Sequence, residues 1–212
     1  MIIGVVNCGI GNVQSVVNVL KKINYQSLAI STPDGLDGVD AIILPGIGNF
    51  DSFVLRLKQQ GFWDKLKQVI RSEQPLIGIC VGAQVLCLSS DDGSQAGLGV
   101  FDVRCKKIPQ SNIEPIVKVP HMGWNTISSK PGTPKRKVLD NRFGIERFYF
   151  AHSFAIPISD ETVMTSKHGV EFSACLKKKN IFAIQFHQEK SHVFGMNFLD
   201  SIIQDISKDS SK

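Results

Sequence analysis

Five residues near the middle of the chain, Gly78-Ile79-Cys80-Val81-Gly82, have types and spacing suited to nucleophilic chemistry. A glycine-flanked cysteine between an apolar run and a helical pattern has the form of a nucleophile elbow, a sharp strand-to-helix turn that lifts one side chain out of a sheet. Glycines are expected on both sides because larger side chains would collide across the turn. The same placement sets Cys80 at a helix N-terminus, where oriented amides favour thiolate over thiol. It also aims the Val81 N–H at the spot where an oxyanion would form. The competing reading is a buried cysteine whose glycines serve packing alone.

A thiolate nucleophile needs a group that manages protons, most often histidine. Of His121, His152, His168, His187 and His192, the best placed is His187, in Gln185-Phe186-His187-Gln188-Glu189. The apolar run ahead of it reads as a strand, and further extended chain would point His187 and Glu189 the same way. In a parallel core that strand ends on the same sheet edge as the elbow. Glu189 would then orient the imidazole and stabilise its cation, as the third member of a triad does. A His-x-Glu by itself is more commonly a surface ion pair, and its pairing with an elbow in the other half of the chain is what favours catalysis.

The elements that must position these groups follow from the hydropathy pattern. Apolar runs at residues 2–7, 26–30, 41–44 and 76–79 read as strands. Between them, Val13, Val16, Val17, Leu20 and Ile23 fall at helical spacing, with Asn12 as the expected N-cap, and Phe53, Leu57, Leu66, Val69 and Ile70 suit one or two helices. A helix is expected over residues 81–88. Alternating strand and helix implies an α/β fold, a doubly wound, mostly parallel sheet with helices on both faces. The second half changes character. Short strands are expected at 117–119, 148–150, 163–166, 172–176 and 181–185, an antiparallel extension closed by a C-terminal helix from Phe194. Residues 128–137 read as an exposed loop. The expectation is a single domain over residues 1–206, with a polar tail at 207–212 that frays.

Composition narrows the function classes. The 212 residues are 42% hydrophobic and 20% charged, as in ordinary globular proteins rather than disordered or fibrous ones. The net charge of +5 is too small and too dispersed to argue for nucleic acid. The apolar N-terminus carries no basic residue before Lys21, unlike a secretory signal. The longest uncharged apolar stretch, residues 76–88, is interrupted by Gln84 and falls short of the ~18 residues of a membrane span. Five cysteines with no CxxC pair suit reduced thiols in a cytoplasm. Gly9 and Gly11 do not complete a dinucleotide fingerprint, and neither a cofactor nor a metal is expected.

With GICVGAQ and QFHQEKS in place, the sequence resembles the class I glutamine amidotransferases, which pair such an elbow with a late His-x-Glu. Further stretches resemble the glutaminase subunits of imidazole glycerol phosphate synthases: Gly9-Ile10-Gly11-Asn12, Pro45-Gly46-Ile47-Gly48-Asn49-Phe50, Pro120-His121-Met122-Gly123-Trp124-Asn125 and Tyr149-Phe150-Ala151-His152-Ser153. The matches run in order along nearly the whole chain. The resemblance implies that Cys80 attacks the side-chain amide of glutamine, that His187 moves the protons and that Glu189 orients it. Val81 N–H and an amide near Ile47-Gly48 would form the oxyanion hole. Gln84 and the backbone around His152-Ser153 would hold the glutamine α-groups. Ammonia would pass to a cyclase partner, a (β/α)₈ barrel, in a heterodimer of histidine biosynthesis, with His121, Trp124 and Asn125 at the interface.

Three departures from the family pattern stand out. Gln188 replaces a usual proline, Val81-Gly82-Ala83 replaces Leu-Gly-Met, and Asn7-Cys8 replaces Asp-Tyr. Two rival functions remain open at this stage. One is a paralogous glutaminase feeding ammonia to another acceptor, such as a surface sugar that becomes amidinated. The other is a catalytically silent subunit that only binds a barrel partner, against which the intact Cys80, His187 and Glu189 weigh.

Overall fold

The structure is a computed structural model that describes residues 1–114, 116–130 and 147–209. Four buried apolar runs form its centre. They are β1 (Ile2–Val6), β3 (Ala41–Gly46), β4 (Leu76–Cys80) and β13 (Ile181–Ile184), and every residue of the last three is buried. Strands covered on both faces lose the hydrophobic–polar alternation, and these read as continuous apolar runs for that reason. β2 (Gln26–Ile30), mostly exposed, pairs on the outside of β1.

Among the described residues the large sheet has eight strands in the order β2-β1-β3-β4-β13-β12-β11-β8, with β12 (Val170–Lys178), β11 (Thr162–His168) and β8 (Ser128–Ser129) antiparallel. The step from β1 to β2 runs one way across the sheet and the step from β3 to β4 the other. Right-handed crossovers therefore put α1 (Val13–Lys22) on one face and α2 (Phe50–Gln59) with α3 (Phe62–Arg71) on the opposite face. The expected doubly wound sheet and its antiparallel extension are both present. The reversal of strand order at β1 and β3 opens a crevice at the carboxyl ends of the parallel strands, the usual place for a ligand in such sheets.

Several boundaries differ from expectation. The helix after the elbow, α4 (Val81–Val85), stops three residues early and the chain continues as β5 (Cys87–Ser90). The N–H groups of Gly97, Leu98, Gly99 and Val100 donate to the carbonyls of Leu88, Val85, Cys87 and Leu86, so these carbonyls are committed to a neighbouring segment rather than to a helix. β5 lies beside β6 (Phe101–Lys107), which also pairs with β10 (Phe154–Ala155). β7 (His121–Thr126) and β9 (Arg147–His152) form a separate antiparallel pair. Of residues 117–119 only Val117 pairs, in an isolated bridge with Ser111. Residues 128–129 are strand rather than loop, and residues 131–137 of the expected loop lie outside the described residues. The last helix, α5 (His192–Asp209), runs through the start of the expected tail, with Ser207 Oγ donating to the Ile203 carbonyl one turn back. The rest of that tail, 210–212, is outside the described residues. Among the described residues no helix is long and apolar enough to cross a membrane.

Candidate active site

The elbow forms as its residue types require. Cys80 ends β4 at φ +55°, a region that residues with a Cβ resist at a cost of ~1–3 kcal/mol. A Cβ on Gly82 would lie 2.0 Å from the Leu44 carbonyl oxygen, and one on Gly78 2.6 Å from the Gly82 oxygen. Both positions are thus restricted to glycine by backbone packed against backbone. Cys80, 3% exposed, lines a cleft of about 230 Å³ at the carboxyl ends of the parallel strands, and its Sγ lies 3.8 Å from the Ala151 carbonyl oxygen. The other four cysteines are buried in the core.

His187 lies beside Cys80, and its Nδ1 is 2.7 Å from Glu189 Oε1, with both side chains almost wholly buried. Burial by itself would lower the His187 pKa, but Cys80 and Glu189 hold it up to about 10, so the ring is a cation at neutral pH. Burial would raise the Glu189 pKa, yet the imidazole and the Asn12 amide keep it below the usual carboxylate value. The segment is not extended as expected. Residues Gln188–Lys190 make a 3₁₀ turn, closed by Lys190 N–H to the His187 carbonyl and Ser191 N–H to the Gln188 carbonyl. Ser191 pins it further. Its hydroxyl donates to the His187 carbonyl at 2.5 Å and accepts from the Tyr149 N–H at 2.9 Å, while the His187 N–H donates to the Tyr149 carbonyl. Gln188 is buried, and neither end of its amide meets a partner among the described residues.

Asn12 occupies the expected N-cap position of α1, and its carbonyl accepts from the Val16 N–H. It makes no side-chain cap bond to α1; its amide nitrogen donates instead to Glu189 Oε1 at 2.8 Å. Glu189 Oε1 therefore receives two donors of different origin. His187 comes from the same turn, and Asn12 comes from the start of α1, 177 residues away in sequence. No local pattern signals this second contact. Asp92 is another residue that the sequence reading missed. It lines the cleft while its carboxylate accepts from the Phe50 N–H at 2.7 Å and its carbonyl from the Asn49 amide, fixing it against the start of α2.

The remaining expected residues fall in two groups. Val81, Ile47, Gly48, Gln84, His152 and Ser153 all line the cleft, with Gly48 at φ +86°. Gln84 Nε2 donates to the Phe154 carbonyl at 2.8 Å and to Gln185 Oε1 at 3.2 Å. With its amide hydrogens engaged, what Gln84 offers a ligand is its carbonyl oxygen. His121, Trp124 and Asn125 do not line the cleft. They lie on β7, whose alternation turns Met122 and Trp124 outward, 65% and 38% exposed, and buries His121 on the inner side. Asn125 shares the His121 side and bonds to its ring. Trp124 stacks on His192, with ring centroids 5.5 Å apart.

A doubly wound sheet with a cysteine elbow, an imidazole and a carboxylate at one strand edge defines a class, and the sequence places the chain in it. Residues 4–202 match the family Glutamine amidotransferase class-I, and the chain belongs to that family. Among its relatives is the imidazole glycerol phosphate synthase subunit HisH 2 of Methanococcus maripaludis, 38% identical over 95% of this chain and 98% of that protein. The HisH subunit of Bdellovibrio bacteriovorus is 37% identical over 93% of this chain and 97% of its own length. In fold, the chain is similar to PurLQS from Thermotoga maritima, with a TM-score of 0.69 at 18% identity over 97% of this chain and 98% of that one. It is likewise similar to a glutamine amidotransferase from Thermotoga maritima, with a TM-score of 0.60 at 14% identity over 100% and 86% of the two chains.

Proposed function

We propose that this chain is the glutaminase subunit of an imidazole glycerol phosphate synthase, a cytoplasmic enzyme that releases ammonia from glutamine for a cyclase subunit built as a (β/α)₈ barrel. The observation that carries the proposal is His187 held between Cys80 and Glu189 on the elbow's edge of the sheet. Relatedness to HisH subunits along nearly the full chain supports the pathway.

Each residue has its part in the reaction. Cys80, as thiolate with His187 as its counter-cation, attacks the side-chain amide carbon of glutamine. Negative charge develops on the amide oxygen, where the Val81 N–H and an N–H of the Ile47-Gly48 segment stabilise it. His187 gives its proton to the departing nitrogen, so ammonia leaves and a thioester remains. His187, now neutral, takes a proton from water, whose oxygen attacks the thioester. Collapse frees glutamate and restores the thiolate–imidazolium pair. Glu189 keeps the imidazole oriented and charged, and Asn12 keeps Glu189 in place. Gln84 and Asp92 present an acceptor oxygen and a carboxylate, which suit an α-ammonium, while the backbone at His152-Ser153 meets the α-carboxylate.

The test is ammonia release from glutamine by the chain alone and with its cognate cyclase subunit. Slow release alone and faster release in the complex, coupled to imidazole glycerol phosphate formation, is the expected result. Undiminished growth without histidine after deletion of the gene would assign the ammonia to another acceptor.

A further inference from the structure

From Asn125, outside the cleft, one unbroken hydrogen-bonded line leads to the Phe154 carbonyl and Gln84 in its lining. The Asn125 amide nitrogen donates to the Lys167 carbonyl at 2.9 Å, and the Asn125 side-chain oxygen accepts from the Thr126 N–H at 2.8 Å. These main-chain partners, one an acceptor and one a donor, fix which end of the amide faces His121. The amide nitrogen also meets His121 Nε2 at 3.2 Å, so Nε2 accepts and the His121 proton sits on Nδ1. His121 Nδ1 is 3.1 Å from His152 Nε2, which must therefore accept, leaving the His152 proton on Nδ1. That proton points at the Phe154 carbonyl, 2.9 Å away. The same carbonyl receives the Gln84 amide.

Every proton on this line is assigned, and all the bonds from Asn125 to Phe154 run in one direction. Both rings are neutral. Burial pulls the His121 pKa down to about 4 and that of His152 down to about 3. The His121 ring cannot tilt freely, because it is stacked between Phe150, at 4.7 Å, and His168, at 4.1 Å. A change at Asn125 or His121 therefore acts on the proton position of His152 rather than dissipating in side-chain motion.

We propose that His121 and Asn125 are positioning residues for glutamine binding: by fixing the tautomer of His152 they hold the Phe154 carbonyl, and through it the Gln84 amide that faces the substrate. This rests on the reading of the cleft as the glutamine site. If His152 moved its proton to Nε2, the Phe154 carbonyl would lose one of its two donors, and the Gln84 side chain would lose its fixed support. His121 and Asn125 touch no substrate and leave Cys80, His187 and Glu189 in place, so the effect falls on binding rather than on the chemical step.

Two variants test it. Asn125→Asp is nearly isosteric but replaces the donor with an acceptor, which, at a pH where His121 stays neutral, draws its proton to Nε2 and leaves Nδ1 unable to donate to His152. His121→Phe keeps a ring in the stack and deletes both bonds. ¹⁵N NMR of the full chain is expected to show Nδ1–H tautomers at His121 and His152, and a changed His152 tautomer in Asn125→Asp. In the complex with the cyclase subunit, both variants are expected to raise the KM for glutamine about tenfold, with kcat within about twofold of wild type. An unchanged His152 tautomer in Asn125→Asp, or an unchanged KM in both variants of an active enzyme, overturns the inference. A wild-type complex that hydrolyses no glutamine overturns the proposed function, and the glutamine role of this line falls with it.

Discussion

Cys80 is held at a backbone angle that its own side chain disfavours, and the packing of α4 onto β3 and β4 keeps it there. Its sulfur is also one of the groups that lift the His187 pKa. Cys80→Ala is therefore expected to do two things. Glutamine hydrolysis falls by ~10³-fold or more, since a nucleophile and its base act as a unit. The His187 midpoint, followed by NMR titration, drops below about 10 because one of its supports is gone. Asn12 works one step further out. Its amide lowers the Glu189 pKa, so removing it raises that pKa and moves the acid limb of the activity profile to higher pH. Asn12→Ala is expected to cut kcat about tenfold, the scale of one hydrogen bond to a charged group, with little change in KM. A pH–rate profile of the variant beside wild type checks both statements.

At the scale of elements, the turn at Gln188–Lys190 decides how His187 meets Glu189. His187 sits at ψ 102°, close to the range favoured before proline, and no described bond uses the Gln188 N–H. Gln188→Pro also deletes a buried amide that has no partner among the described residues. The variant is expected to keep glutaminase activity and to gain ~0.5–1 kcal/mol of stability, read from denaturant unfolding. A loss of stability would mean that the proline ring does not fit the turn. The central strands and the elbow were legible because both depend on local signals: unbroken apolar runs, and glycines two residues either side of a cysteine. The turn was misread because the extended pattern of β13 gives no sign of stopping at Ile184, and Ser191 closes the turn through contacts with β9. Strands β5 to β8 went unnoticed for a related reason. They are short or polar and are strands only by virtue of their neighbours. Asn12 is the N-cap of α1, as Asn before a helix usually is, but its side chain serves Glu189 rather than the helix. Its reach to Glu189 spans 177 residues, a distance at which spacing carries no information.

For the whole molecule, the buried pair makes stability depend on pH in a defined direction. His187 has an ordinary value of 6.5 and a folded value of about 10, so its contribution is complete below about pH 6.5 and is lost as pH rises toward 10. Glu189 is lowered from 4.5, so its contribution is complete above about pH 4.5 and is lost as pH falls through its folded value. The melting-temperature gap between wild type and Glu189→Gln is expected to be widest between about pH 4.5 and 6.5 and to narrow toward pH 10. A gap that stays constant across this range would show that the two groups are not coupled to folding.

The order of strands in the large sheet has a consequence for how the protein comes into being. β13 lies between β4 and β12, in the interior of the sheet, yet among the described residues it is the last strand in chain order. Until residues 181–184 pair with it, the flank of β4 that carries Leu76–Cys80 is an open, wholly apolar edge, the kind that recruits other chains. The same late strand delivers His187 and Glu189. The unfinished fold is thus at once at its most adhesive and still without its proton-transfer groups, and both conditions end together when β13 docks.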